Sequence, residues 1–343
     1  MIIIFLILFF LNFLIFININ RLAKVINIYD KPDNNLKLHK KNIPILGGII
    51  IAVNYICFTT YQIFFLNDFL LIEINLYKIR DITGIIILTF GFFFLGLYDD
   101  KYNLLPTKKM FFSLILIIIS ISLNQKLKVY EVNFSFYESK IFLENFSIIF
   151  TIFCFMILIN SLNFYDGINA QSCIFFIIIF FYLLIVSNKN EFYLFNIFLL
   201  LILLFLNIKN KMFLGDSGIY FLSIIASISF IYEYNLEKNI KFVDEIFFLL
   251  LLPGFDLVRL TVIRVLNGRN AFIGDREHIH HIINKKLSLI FTNIILVIVG
   301  TIPIILFSFF NLGFYNVFII FLILYTFLIL IYKSNGKKII KKK

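Results

Sequence analysis

IIIFLILFFLNFLIFINI, residues Ile2 to Ile19, holds eighteen residues with no charge and only two amides. A buried core helix usually carries about 10–14 apolar residues, whereas crossing the hydrocarbon layer takes about 20. The run has no basic flank before it and no small-residue cleavage site after it, so it reads as a retained helix, not a signal peptide. Comparable runs recur at 44–66, 82–98, 106–123, 146–164, 171–187, 191–208, 214–232, 245–265, 290–310 and 314–332. The sequence therefore predicts an all-α polytopic membrane protein with about eleven transmembrane helices, in one integral membrane domain over 1–343. Composition agrees, since 61% of the 343 residues are hydrophobic and 15% charged, against roughly 45–50% apolar residues in soluble domains.

Orientation follows from Lys and Arg, which resist translocation and collect in cytoplasmic loops. Segments 20–43, 99–109, 209–217, 259–289 and 333–343 hold 23 of the 31 basic residues, and the alternate segments hold 8. The expected topology thus puts the N-terminus outside and the C-terminus in the cytoplasm. A basic inner face also attracts anionic headgroups and phosphorylated substrates. No module for binding nucleic acid is legible, so nucleic acid is not an expected partner. Cys57, Cys154 and Cys173 all fall in apolar runs, at spacings unlike a metal knuckle or a redox pair.

The informative residues are the polar groups at predicted inner helix ends, because a carboxylate there is costly unless it meets water, a cation or a partner. Asp99 and Asp100 are adjacent and repel, unless a cation lies beside them. Asn160, Asn163 and Asp166 recur at i, i+3 and i+6, which on one helix would form a single polar wall, with Gly167 free to turn. A polar helix–helix seam would use the same amides. Gly215-Asp216-Ser217-Gly218 joins a carboxylate to a helix start, suiting phosphate or metal, although a simple helix cap has the same composition. Asp256 follows Pro253, and Asp275-Arg276-Glu277-His278-Ile279-His280-His281 holds three of the four histidines. These histidines could donate hydrogen bonds to phosphate beside Arg276 or ligate zinc; the missing Cys and the nearby Lys285 and Lys286 favour phosphate.

In identity and order these groups resemble the polyprenyl-phosphate N-acetylhexosamine-1-phosphate transferases, glycosyltransferase family 4. Asp30-Lys31-Pro32, Lys37, His39, Pro44 and Gly47-Gly48 resemble the family's first cytoplasmic loop, and Asp99-Asp100 its paired aspartates. Asn160 to Gly167 resembles its Asn-rich segment and Phe213 to Gly218 its metal-binding segment. Pro253, Asp256, Arg264 and the His278-Ile279-His280-His281 pattern resemble its last catalytic loop, in the form of the branch acting on UDP-N-acetylglucosamine and undecaprenyl phosphate. One departure stands out. Where many members read Asp-Gly-x-Asp-Gly-Leu-Ala, this chain reads Asp166-Gly167-Ile168-Asn169-Ala170-Gln171-Ser172.

The resemblance implies transfer of a sugar 1-phosphate, N-acetylhexosamine 1-phosphate, from a UDP-sugar to polyprenyl (undecaprenyl) phosphate. UMP would be released and a lipid-linked cell-envelope glycan such as O-antigen begun. It implies Mg²⁺, or Mn²⁺ in its place, on Asp216, Asp99 and Asp100, with catalytic roles for these three and for His278, His280 and His281. Substrate binding would fall to Lys37, His39, Gly48, Asn160, Asn163, Asp166, Asn169, Asp256, Arg264 and Arg276. The catalytic cytoplasmic loops would lie near 20–43, 99–109, 160–172, 209–218 and 256–289. The implied partners are UDP-N-acetylhexosamine, polyprenyl phosphate and membrane lipid, with a homodimer left open. The implied location is the inner membrane of a bacterium, with the site on the cytoplasmic face. Two other classes fit parts of the sequence: a transporter or flippase of an anionic substrate, and the muramoyl-pentapeptide transferase, which carries three consecutive histidines.

Overall fold

The computed structural model describes residues 2–32, 42–73, 78–269 and 276–334. The chain is an all-α polytopic membrane protein. Its helices are α1 (Ile2–Ile26), α2 (Gly47–Tyr61), α3 (Ile79–Tyr102), α4 (Pro106–Leu123), α5 (Ser147–Tyr165), α6 (Gln171–Val186) and α7 (Asn190–Ile208). They continue as α8 (Gly215–Ile231), α9 (Val243–Leu249), α10 (Leu251–Leu266), α11 (Ile279–Asn284), α12 (Leu289–Ser308) and α13 (Phe314–Ser334). Among the described residues three two-residue antiparallel ladders lie in the loops, one of them Tyr29–Asp30 paired with Ile43–Pro44.

Among the described residues nine helices are long and apolar enough to cross a membrane, or ten if α9 and α10 form one span. The eleven expected runs each meet helix, but two depart from a simple crossing. The run 245–265 is bent by 70° between α9 and α10. Pro253 explains the break, since its nitrogen has no proton for the Leu249 carbonyl and its ring clashes with that carbonyl, so the helix restarts with Pro253 in its first turn. The other departure, α6, has 16 residues, which at about 1.5 Å each fall short of a hydrocarbon core of about 30 Å.

α8 is the hub, packed against α2, α3, α5 and α6 and buried at every residue from Ser217 to Phe230. Small residues let its neighbours approach. A Cβ on Gly48 would lie 2.3 Å from Ser217 Oγ, and one on Gly96 would lie 2.5 Å from Ser217 Cα, so bulk at either position drives α2 or α3 off the start of α8. Asn12 and Asn54 exchange side-chain hydrogen bonds of 2.7 and 3.1 Å, fastening α1 to α2 while satisfying two amides at membrane depth. The outward faces of α1 and α13 carry exposed Phe9, Phe10, Ile319, Ile323 and Phe327, an apolar surface that suits acyl chains.

Candidate active site

The end of α3 and the start of α8 form one polar unit. Asp100 Oδ1 accepts the Asp216 backbone N–H at 2.7 Å, and its Oδ2 accepts the Ser217 N–H at 3.1 Å and the Ser217 hydroxyl at 2.6 Å. A carboxylate here meets the N–H groups that a helix leaves unpaired in its first turn, and the positive end of its dipole. The approach requires Gly215, whose φ is +72° and whose added Cβ would lie 2.6 Å from Asp100 Oδ2.

Asp99 turns the other way. It is buried, accepts the Leu104 N–H at 2.7 Å and pairs with the Lys109 ammonium at the first turns of α4. The same Lys109 Nζ lies 3.0 Å from Asp216 Oδ2. Two carboxylates therefore converge on one cation, while the third is spent on bracing a helix start.

These groups line a cavity of about 1270 Å³ together with Asp166, Asn169, Asn207, Asn210 and His281. Asn169 Nδ2 donates to Asn210 Oδ1 at 2.6 Å, and Asn207 Oδ1 accepts the Ala170 N–H at 2.6 Å, so the loop leading into α6 and the end of α7 share an amide wall. A second pocket of about 110 Å³ lies between α4 and α5, lined by Asn160, Asn163, Met110, Met156 and Ile159. Lys109 lines both.

The single wall expected from Asn160, Asn163 and Asp166 is therefore divided. α5 stops at Tyr165, and Asp166 has φ −77° and ψ 65°, so the i, i+3, i+6 register breaks before its last member. Asp166 accepts the Ser172 hydroxyl at 2.6 Å. It is exposed toward the cavity, but the protein packed around the cavity mouth strips bulk water from it, and this desolvation, with added repulsion from Asp100, raises its pKa from 3.8 to about 6. Ala170, standing where the family pattern has glycine, adopts φ +71°.

In the histidine loop His281 lines the cavity, whereas His278 and His280 are buried behind the wall. Burial, with repulsion from His281 and His278, holds His280 well below the usual histidine pKa, which keeps it neutral. A Cβ on Gly167 would sit 1.8 Å from His280 Nε2, so only glycine fits between that ring and the cavity.

Of the expected site residues, Asp99, Asp100, Asp166, Asn169, Asp216 and His281 meet at the large cavity. Gly48 instead packs α2 on α8. Asp256 is buried and held by Arg259, Tyr325 and His278, which occupies the carboxylate expected to meet substrate. Arg264 is buried with its guanidinium 5.9 Å from the Phe164 ring centroid. Arg276 is half-buried. Lys37, His39 and Asp275 lie outside the described residues. The sequence reading missed Lys109, Asn207 and Asn210. Lys109 was one basic loop residue among many, and the two amides bracket the polar break Asn207-Ile-Lys-Asn210 after an apolar run.

Residues 82–233 match the family described as Glycosyl transferase family 4. The chain is 24% identical over 272 residues to a probable undecaprenyl-phosphate N-acetylglucosaminyl 1-phosphate transferase of Bacillus subtilis strain 168, covering 77% of this chain and 71% of that protein. It is 26% identical over 278 residues to the undecaprenyl-phosphate alpha-N-acetylglucosaminyl 1-phosphate transferase of Escherichia coli K12, with the same coverage. The Yersinia pestis protein of that description is 25% identical over 279 residues, covering 77% of this chain and 72% of its own.

Proposed function

From the match of residues 82–233 to glycosyl transferase family 4, we propose that this chain belongs to that family and transfers a sugar 1-phosphate from a UDP-sugar to undecaprenyl phosphate. The sugar is an N-acetylhexosamine, and the product begins a lipid-linked cell-envelope glycan. The observation that carries this reading is the convergence of Asp99 and Asp216 on Lys109 at the wall of a polar cavity large enough for a nucleotide sugar.

The donor set fits a hard divalent cation. Two carboxylates already meet around an ammonium, and Mg²⁺ commonly takes one or two carboxylates, completing its shell with water and substrate phosphates. Asp99 and Asp216 would hold Mg²⁺, or Mn²⁺ in its place, and Asp100 keeps the Asp216 backbone fixed. When bound, the ion supplies neutralisation of diphosphate charge.

With those carboxylates on the cation, the Lys109 ammonium would be available to a phosphate oxygen. Its place between the two pockets supports a role toward both substrates, with the diphosphate assigned to the large cavity and the lipid phosphate to the side of Met110, Met156 and Ile159. His281 and the amides of Asn169 and Asn210 supply polar contacts on the nucleotide side. An oxygen of the lipid phosphate forms a bond to the β-phosphorus. The bond from that phosphorus to the bridging oxygen breaks, and UMP leaves with that oxygen and its electron pair. The barrier is lowered by positioning and by charges already in place.

This reading puts the cavity on the cytoplasmic face of a bacterial inner membrane, with the N-terminus outside, eleven spans including α6 and the bent α9–α10, and loops 20–43, 99–109, 160–172, 209–218 and 256–289 around the site. Incubating purified protein with undecaprenyl phosphate and a panel of labelled UDP-sugars tests it. Equal amounts of UMP and organic-soluble label are expected, with an N-acetylhexosamine donor preferred. Uptake of intact UDP-sugar into vesicles without UMP would make the protein a transporter instead.

A further inference from the structure

The carboxylate of Asp256 is 1% exposed and surrounded by donors. Its Oδ1 accepts the Tyr325 hydroxyl at 2.6 Å and Arg259 Nη2 at 2.8 Å; its Oδ2 lies 2.8 Å from His278 Nδ1; the Ile279 N–H reaches both oxygens at 3.3 and 3.4 Å. Arg259 Nε also donates to the Tyr325 hydroxyl oxygen, at 2.7 Å. An ionised carboxylate only accepts, so the proton between the pair belongs to His278 Nδ1, and Nε2 points away.

The His278 ring is sandwiched. Phe164 stacks on it with centroids 5.8 Å apart, and His280 lies 5.3 Å away with an interplanar angle of 11°. His280 in turn abuts Gly167, whose backbone lines the cavity, and His281 follows it onto the cavity wall. Asp256, His278 and His280 also bring one ligand atom each within 4.8 Å, as a metal site would. The hydrogen bonding opposes that use: His278 Nδ1 lies 2.8 Å from Asp256 Oδ2, which leaves no room for an ion between those two atoms. Both Asp256 oxygens, moreover, already have donors.

We propose that Tyr325, acting through Asp256, is a positioning residue for the reaction. From α13 it fixes the orientation of His278, and through the stacked His280 it sets Gly167 and His281 on the cavity wall. Nothing in the sequence of α13 distinguishes this hydroxyl from a membrane-interface tyrosine. Its activity arm rests on the transfer reaction proposed above, and its spectroscopic arm does not.

The test is Tyr325→Phe, which keeps the ring and removes one donor, with Asp256→Asn beside it. The chain has four histidines, so ¹⁵N-histidine labelling of protein in nanodiscs resolves their tautomers. Wild-type protein should show one histidine locked with its proton on Nδ1. Tyr325→Phe should turn that signal into a tautomer mixture and lower kcat/KM for the UDP-sugar about three- to tenfold. Asp256→Asn should abolish the locked signal and cost on the order of 10²-fold. Wild-type spectra and wild-type kcat/KM in Tyr325→Phe overturn the proposal. So does one equivalent of zinc that copurifies and is released by Asp256→Asn. If wild-type protein transfers no sugar phosphate, the functional reading fails and the histidine spectra alone decide the positioning role, a mixture in Tyr325→Phe supporting it and an unchanged spectrum overturning it.

Discussion

The Asp100 carboxylate accepts the backbone N–H of Asp216 at 2.7 Å, which makes the last turn of α3 and the first turn of α8 a single rigid piece. Adjacent Asp99 and Asp100, equivalent in the sequence, thereby take different tasks: one braces backbone, the other shares Lys109 with Asp216.

This division predicts different consequences for the two substitutions. Asp100→Asn keeps one acceptor but loses the second and the charge that favours the α8 N-terminus, so it should lower both turnover and melting temperature. Asp99→Asn should lower turnover while its melting temperature falls less. Equal melting temperatures with turnover lost only in Asp100→Asn would reverse the assignment. Kinetics and thermal melts of detergent-purified variants supply the comparison.

Lys109 links the two carboxylates, and its removal leaves them uncompensated. Lys109→Ala should melt earlier than wild type in EDTA, and Mg²⁺ should raise its melting temperature more than it raises that of wild type, because binding to the folded state stabilises it. Activity should fall by about 10²-fold or more as a phosphate-facing charge is lost. A Mg²⁺ response no larger than wild type would separate Lys109 from the cation site.

Asp166 has a pKa raised from 3.8 to about 6. A carboxyl whose folded pKa exceeds its unfolded one binds protons more tightly when folded, so its contribution to stability is greatest below pH about 4 and is lost as pH rises through about 6. Asp166→Asn keeps an acceptor for Ser172 and removes that loss. Relative to wild type, its melting temperature should therefore rise between pH 4 and pH 7. A difference between the two proteins that stays constant with pH would show that Asp166 titrates normally.

Ala170 holds φ +71°, a conformation that costs an L-residue about 1–2 kcal/mol and glycine far less. Ala170→Gly should stabilise the protein by up to about 1 kcal/mol after the extra backbone entropy of glycine in the unfolded chain. A lower melting temperature for the variant would refute the strain.

Much of this was legible in the sequence, and the failures have physical causes. Apolar length located the nine helices that, among the described residues, are long and apolar enough to cross a membrane, because lipid demands long runs whatever the packing. It could not show the bend before Pro253 or the shortness of α6, which depend on where the backbone breaks. The carboxylates stood out because charges are rare at helix ends near lipid. Lys109 did not, since one lysine among many in inner loops gains meaning only from the two aspartates that a distant turn brings to it. Spacing suggested one polar wall for Asn160, Asn163 and Asp166, and the helix ended one residue too soon. Three histidines in four positions suggested three phosphate donors, but a six-residue helix seated against α12 and α13 leaves two of them buried.

The most direct measurement is transfer of labelled N-acetylhexosamine 1-phosphate to undecaprenyl phosphate by reconstituted protein, across Mg²⁺ concentrations, for wild type and Asp216→Asn. Wild type should form lipid-linked product with matching UMP, stop in EDTA and recover with Mg²⁺. Asp216→Asn should insert normally and lose activity by orders of magnitude at every Mg²⁺ concentration. Near-normal turnover by Asp216→Asn, or product formation that EDTA leaves untouched, would contradict a cation-assisted transfer at the junction of α3 and α8.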